Sequence, residues 1–509
     1  MLTGPGRRFD RGEIFTRARP LFGNGVALAD GKHHRDRRRA IQPLLNTTRL
    51  ASYLDTMAEH TAARAASWSD GQNIDLNAEM ADLTLNVVAA TIFGQHLPAG
   101  AGSLIHHNLP IVVAGLARRA YGPAAALLDR VPSPERRKYQ NALTGIHRVV
   151  DEMISANRDS PAMARLSAGA DERQLHDDVT SLLIGGSHTS AVAAAWLFIL
   201  LGRHPQIRRR LDEEVGRVLG DRPATPSDLP DLIHTRHIVQ ETLRLYPPIW
   251  FFPRRAATDL QLGGHSIKRG TQVFYSPYAM HRDSRWYSRP ESFDPDRWDP
   301  DRRAQPPRGA CIPFATGVHG CPGGDFALAE LTLITAAVTA RWHLDPAPGS
   351  EPGPVAAATL GPAPHHHDRL RPPSSGLTPE CHARYEGRGR SERTGRRGRT
   401  THVRPTRAGT ASARLCGARR ARRRAGGRAE RLVLVQGEFV ERYGWHGVYH
   451  RPPPGSCLLS GRRRGAGGSV GAMPDRPRRS GRPERRTACR GRRRGRRSRG
   501  RRCLPAPRP

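Results

Sequence analysis

The stretch that most constrains this chain is Phe314-Ala-Thr-Gly317-Val-His319-Gly-Cys321-Pro-Gly323-Gly324, which runs straight into Asp325-Phe-Ala-Leu-Ala-Glu-Leu-Thr-Leu-Ile-Thr. The second part reads as a helix. A cysteine just ahead of a helix start lies near unpaired backbone N–H groups and the positive end of the macrodipole, and both favour a thiolate. Gly317, Gly323 and Gly324 allow the backbone to approach a flat ligand and to take turn angles closed to other residues. A lone cysteine in a Gly-rich loop is more often a small buried hydrophobe than a ligand. Here the spacing of the whole stretch argues for the ligand.

A single thiolate presented this way is suited to hold haem iron from one side and leave the other side open. The pattern Phe-x-x-Gly-x-His-x-Cys-x-Gly resembles the haem-binding signature of the cytochrome P450 superfamily, with His319 where Arg is commoner. The resemblance implies haem b (iron protoporphyrin IX) bound through Cys321 as the axial metal ligand. Phe314, Gly317, Gly323 and His319 would then form the surrounding cradle. It also implies a bacterial-type fold that is mainly α with small β-sheets.

Three more motifs stand in the family's order. His34-x-x-x-Arg38 lies in a basic cluster, Lys32–Arg39, that on composition alone reads as a solvated face. One helical turn separates the two side chains, so both can reach one carboxylate. By resemblance they hold a haem propionate. Gly185-Gly186-Ser187-His188-Thr189-Ser190 opens an apolar run, Ala191–Leu201. Paired glycines weaken a helix interior, which suggests a local widening or a close neighbour. The segment resembles the family's oxygen-binding helix. Thr189 then matches the threonine that hydrogen-bonds dioxygen and helps deliver protons. His188 stands where the family usually has an acid; histidine titrates near neutral pH and can relay protons.

The third motif is Glu241-Thr-Leu-Arg244 followed by Leu-Tyr-Pro-Pro, with Phe293-Asp-Pro-Asp-Arg297-Trp downstream. Glu241, Arg244 and Arg297 match a buried charged triad that holds the cysteine loop. Such a network is costly to break, and these residues are structural. Arg254 fits the family's arginine for the other propionate. Ile249, Trp250 and Phe251 are expected to face the substrate, and Gly263-Gly264 reads as a hairpin turn.

Helices are expected over 47–68, 77–94, 103–127, 134–158 and 171–203, with a polar connection at Pro161–Asp171. The longest apolar run is too short to cross a bilayer, and no signal-peptide pattern opens the chain. Cys311 and Cys321 are the only cysteines in 1–365, which points to a reducing, cytoplasmic setting.

The net charge of +36 conceals two unlike parts. Residues 366–509 hold 40 Arg, no Lys and 9 acids, a net of +31, which leaves +5 for residues 1–365. The resemblance covers 1–365, without the family's usual first helices and strands and without a recognisable closing hairpin. The fold is therefore expected to be incomplete at both ends. The Arg/Gly/Pro-rich tail cannot bury enough apolar surface to fold. It reads as a nucleic-acid arm, a disordered tail or out-of-frame translation; arginine without lysine favours the last.

The implied activity is a monooxygenase that uses O2, a small apolar substrate (terpenoid, fatty acid or other secondary metabolite) and electrons from NAD(P)H. A ferredoxin and ferredoxin reductase, or a similar donor, would carry them. Neither membrane nor nucleic acid is an expected partner. The alternatives are an inactive truncated or frameshifted product with impaired haem binding, and a nucleic-acid binder acting through the tail.

Overall fold

A computed structural model describes residues 8–370 apart from 95–96, 99, 122–131, 303–305, 308, 347–351 and 364–365, together with 432–434. All expectations for the rest of the tail lie outside the described residues.

One helix holds the fold together. The segment Glu172–Arg203 (α7 in the numbering used below) forms 32 residues of unbroken α-helix, capped by the Asp171 carboxylate accepting from the Gln174 amide. Its apolar second half is buried, with Trp196 wholly enclosed. It is long and apolar enough to cross a membrane, but most of that window is packed inside the protein. The helices before it are Gly31–Ile41 (α1), Leu54–Ala66 (α2), Leu76–Val88 (α3), Ala101–Tyr121 (α4), Pro134–Ala156 (α5) and Pro161–Ser167 (α6). After it come Pro205–Leu219 (α8), Ile233–Leu245 (α9) and Gly324–Thr339 (α10).

Of the two expectations for Gly185–Gly186, a close neighbour is found and a widening is not, and the close neighbour is at Gly186. A Cβ on Gly186 would sit 3.3 Å from a Val88 methyl, so α3 packs close against α7 at this point. The widened turn occurs at the end of α3, where Ala89–Phe93 form a π-helical turn. The connection at Pro161–Asp171 is also not wholly irregular. Ser160 caps α6 and Pro161 starts it, and Ala162, Met163 and Leu166 supply a buried face. The segment 47–68 divides into two helices around Ser52–Tyr53.

The strands are short. Phe9–Asp10 (β1), Phe252–Ala256 (β3) and Gln272–Tyr275 (β6) pair antiparallel, and Leu432–Leu434 (β11) lies parallel beside β6. Asn73–Asp75 (β2), His366–Leu370 (β10) and His343–Pro346 (β7) form a second sheet. It carries backbone pairing five residues beyond 365, the expected end of the folded part. Leu260–Leu262 (β4) and His265–Ile267 (β5) form the expected hairpin, with φ of +57° and +82° at Gly263 and Gly264. A closing hairpin, not recognised in the sequence, exists as Pro354–Ala356 (β8) and Leu360–Pro362 (β9). Its three-residue strands are too short to show an alternating pattern, and all of β8 is exposed.

Candidate active site

The segments marked in the sequence converge on one cavity of about 430 Å³. Cys321, Phe314, His319 and Gly323 line it, and so do His34 and Arg38 from α1 and Gly185, His188, Thr189 and Ser190 from α7. Apolar side chains such as Leu182, Val113, Leu116, Ile249 and Phe251 form much of the remaining wall.

The cysteine loop is set by backbone geometry. The Cys321 amide donates to the Phe314 carbonyl at 2.8 Å, which folds the loop back on itself. Gly317 has φ +75°, as a glycine there should, and Ala315 also lies in the left-handed region at +56°. Gly323, with φ −99°, is not needed for its angles; it borders the cavity where a side chain would intrude. Gly317 is not part of the lining. Cys321 is exposed toward the cavity, yet the protein atoms packed around it desolvate the thiol and push it above its ordinary pKa, against the opposing pull of the Gly323 amide and Arg38. The macrodipole expectation is thus not met for the thiol alone. α10 starts three residues later, so only one backbone N–H reaches the sulfur.

One end of the cavity gathers cations. Arg38 donates to the Gly320 carbonyl at 2.5 Å, which ties α1 to the cysteine loop. Arg11, which the sequence did not single out, lines the cavity and donates through Nε to the Ala29 carbonyl at 2.9 Å. Arg254 is buried just behind the wall, while its neighbours Phe252 and Pro253 line it. Arg255 is directed elsewhere and pairs with Asp10 at 2.9 Å. Burial and the nearby Arg254 hold Arg11 down to about 10. The His34 ring lies against His319 with centroids 4.4 Å apart and planes tilted by 55°, and burial lowers it to about 3. His319 faces Asp30 at 3.4 Å and is also lowered, chiefly by burial. Among the described residues, the guanidiniums of Arg11 and Arg254 and two neutral imidazoles therefore lie near a single carboxylate, Asp30, and Arg38 adds a third positive charge beside His34. Such a cluster has room, electrostatically, for about two further negative charges. Two propionates on a flat, apolar ring would match this end and the wall beyond it.

On α7, Thr189 Oγ1 donates to the Gly185 carbonyl at 2.9 Å. His188 does not titrate near neutrality as expected, because burial lowers it to about 4. Its Nε2 lies 3.1 Å from Thr359 Oγ1, at the tip of the β8–β9 hairpin. Trp250, expected to face the substrate, turns its indole away and donates to the Ala357 carbonyl at 3.0 Å. Behind Ser190 sits Glu330, fully buried, with the Ser190 hydroxyl as the polar group that faces it. Burial pushes it up to about 8.

Beside the cavity lies a satisfied charged network. Arg244 grips Glu241 with two bonds of 2.8 Å and donates to the carbonyls of His281, Pro290 and Ser292. Arg297 and the Trp298 indole reach the same carboxylate at 3.2 and 3.0 Å. His281, which no sequence motif marks, links this network to the loop that leads to Cys321. Its Nδ1 donates to the Arg244 carbonyl at 3.0 Å, and its Nε2 accepts from the Ile312 amide at 2.8 Å. Burial lowers it to about 3, so this tautomer is neutral.

Comparison with known proteins agrees with this geometry. The model of the family described as cytochrome P450 matches residues 4–366. The chain is 37% identical over 357 residues to cyclooctat-9-en-7-ol 5-monooxygenase of Streptomyces melanosporofaciens, covering 68% of this chain and 78% of that one. It is 35% identical to pentalenene oxygenase of Streptomyces avermitilis, covering 73% and 85% of the two chains. Among solved structures, the haem domain of cytochrome P450DA superposes with a TM-score of 0.65 at 22% identity, covering 73% and 86%. A six-coordinated cytochrome P450 from Thermus thermophilus superposes at 0.58 with 24% identity, covering 72% and 89%. At these identities the structural likeness speaks for the fold. The family match and the curated relatives together make this chain a member of the cytochrome P450 family and a monooxygenase, with a haem cofactor and a redox supply of electrons.

Proposed function

We propose that this chain is a haem-thiolate monooxygenase that inserts one oxygen atom from O2 into an apolar terpenoid. Iron protoporphyrin IX would be held by Cys321. The observation that carries this reading is the composition of one cavity: a lone thiol, a cluster of under-compensated cations and an apolar wall. When bound, haem supplies the activation of dioxygen for attack on a C–H or C=C bond.

The roles of the residues follow from their placement. Cys321 offers the sulfur, and its proton leaves when a metal takes the site. Arg11, Arg38 and Arg254 receive the two carboxylates, with His34 and His319 as neutral hydrogen-bonding groups beside them. Phe314 and Gly323 shape the floor next to the sulfur. Thr189 is the hydroxyl donor of α7; its proton now rests on the Gly185 carbonyl and is free to turn toward the cavity. Glu241, Arg244 and Arg297 hold the loop that presents the sulfur. The apolar side chains keep water from the reacting centre and bind a hydrocarbon skeleton. A terpenoid substrate is supported by the names of the relatives, one built on cyclooctat-9-en-7-ol and one on pentalenene.

Electrons from NAD(P)H, passed through a ferredoxin and its reductase, complete the proposal. A cytoplasmic setting is supported by two free thiols, Cys311 and Cys321.

The test is the carbon monoxide difference spectrum of the reduced, haem-supplied protein. The thiolate-type Soret band is expected, and Cys321→Ala should abolish it. Failure to take up haem, or an unchanged band in that variant, would overturn the assignment and favour a non-catalytic product.

A further inference from the structure

His188 makes a contact that its place in the sequence does not suggest. It lies eight residues before Trp196 on α7, and both side chains end on the β8–β9 hairpin. The Trp196 indole donates to the Leu360 carbonyl at 2.8 Å, and His188 Nε2 meets Thr359 Oγ1 at 3.1 Å. On the other side, Trp250 holds the Ala357 carbonyl and the Leu360 amide donates to the Pro248 carbonyl at 2.9 Å.

A hairpin with three-residue strands, whose tip carries one bond of its own from the Ala357 amide to the Thr359 carbonyl at 3.0 Å, leaves outside contacts to fix its place against α7. These contacts do so, and Ala358 and Thr359 at the tip line the cavity. The His188 contact differs from the other three. It joins two side chains that both border the cavity.

We propose that the His188–Thr359 hydrogen bond latches the hairpin tip to α7. By fixing that wall it sets which substrates fit and how they lie. His188 is then a positioning residue and not a proton source. The selectivity part rests on the haem-thiolate reading, whereas the latch itself does not.

The first measurement is amide hydrogen exchange in the full chain without added haem. Thr359→Val removes the hydroxyl and keeps the shape. Exchange of the Ala357 and Leu360 amides should rise about threefold to tenfold, the range expected for one net hydrogen bond. Thr359→Ser should restore protection. A double-mutant cycle of Thr359→Val with His188→Leu, followed by thermal unfolding, should be non-additive. Wild-type exchange in Thr359→Val, or additive effects, would overturn the latch.

The second measurement uses haem-supplied protein titrated with imidazole and with 4-phenylimidazole, read from the Soret shift. Thr359→Val should favour the larger probe by about threefold, the low end of the same hydrogen-bond range. An unchanged ratio, or no binding of the larger probe by either protein, would overturn the selectivity claim. Absence of a Soret band in the wild type would strike the haem-thiolate reading, and the exchange data would still decide the latch.

Discussion

Two groups of buried charge stand close to the cysteine loop, and they are built on opposite plans. Around Glu241 every charged group has hydrogen-bonded partners, with two guanidiniums sharing one carboxylate. Arg244 is fully enclosed, its guanidinium divided between one carboxylate and three carbonyls, and Arg297 closes the set. Around the cavity, Arg11 and Arg254 crowd together with Asp30 as their single carboxylate among the described residues, and Arg38 stands near His34 and Cys321. The first group is a scaffold that stabilises itself. The second carries more positive than negative charge, and on the proposed function a dianion would balance it. Burial of charge is thus no guide to role; the local charge balance is.

That contrast can be broken most sharply at Arg244. Arg244→Leu strips Glu241 of its two-pronged partner and leaves Arg297 as its one countercharge, at a cost of about 3–5 kcal/mol. Thermal unfolding should show little or no cooperative folding. Arg254→Met should do the reverse in haem-free protein, with stability unchanged or raised, because one unanswered cation is gone. Its haem affinity should fall about tenfold, in line with the loss of a charged hydrogen bond. A large loss of haem-free stability in Arg254→Met would show that the two groups do not differ in kind.

Glu330 adds a third case, a buried acid with no countercharge, held neutral by burial and raised to about 8. Its unfolded value is near 4.3. Below that pH both states carry the proton and nothing is lost. Between there and about 8 the unfolded chain releases it while the native state keeps it. Native stability therefore falls as pH rises through that window. Glu330→Gln should remove this slope, with a gain in Tm that is larger at pH 8 than at pH 5. An equal gain at both would refute the neutral-acid account. The smallest effect is expected at Arg210, whose two-pronged pair with Asp296 at 2.7 and 2.9 Å is half exposed. Arg210→Ala should cost about 1 kcal/mol or less, and denaturant midpoints can check it.

The cysteine loop, the α7 motif and the Glu241–Arg244 helix were legible because each is a local spacing with a chemical reason. Arg11, Asp30 and His281 were not. Each contributes one side chain from a loop or helix end with no pattern around it. The closing hairpin escaped for a related reason, since its position depends on Trp196, Trp250 and His188, far away in sequence.

His188 marks the line between the two kinds of knowledge. Its residue type suggested a group titrating near neutrality, which holds for an imidazole in water. Enclosure lowered it to about 4 and gave its nitrogen to Thr359. Local order fixes which side chains share a turn, and so the sequence alone determined the thiol loop, the long helix and the charged lock. Solvation and charge balance are sums over residues distant in the chain. Only the tertiary structure could decide that Cys321 is raised, that Arg11 joins Arg254 near Asp30, and that the hairpin borders the cavity.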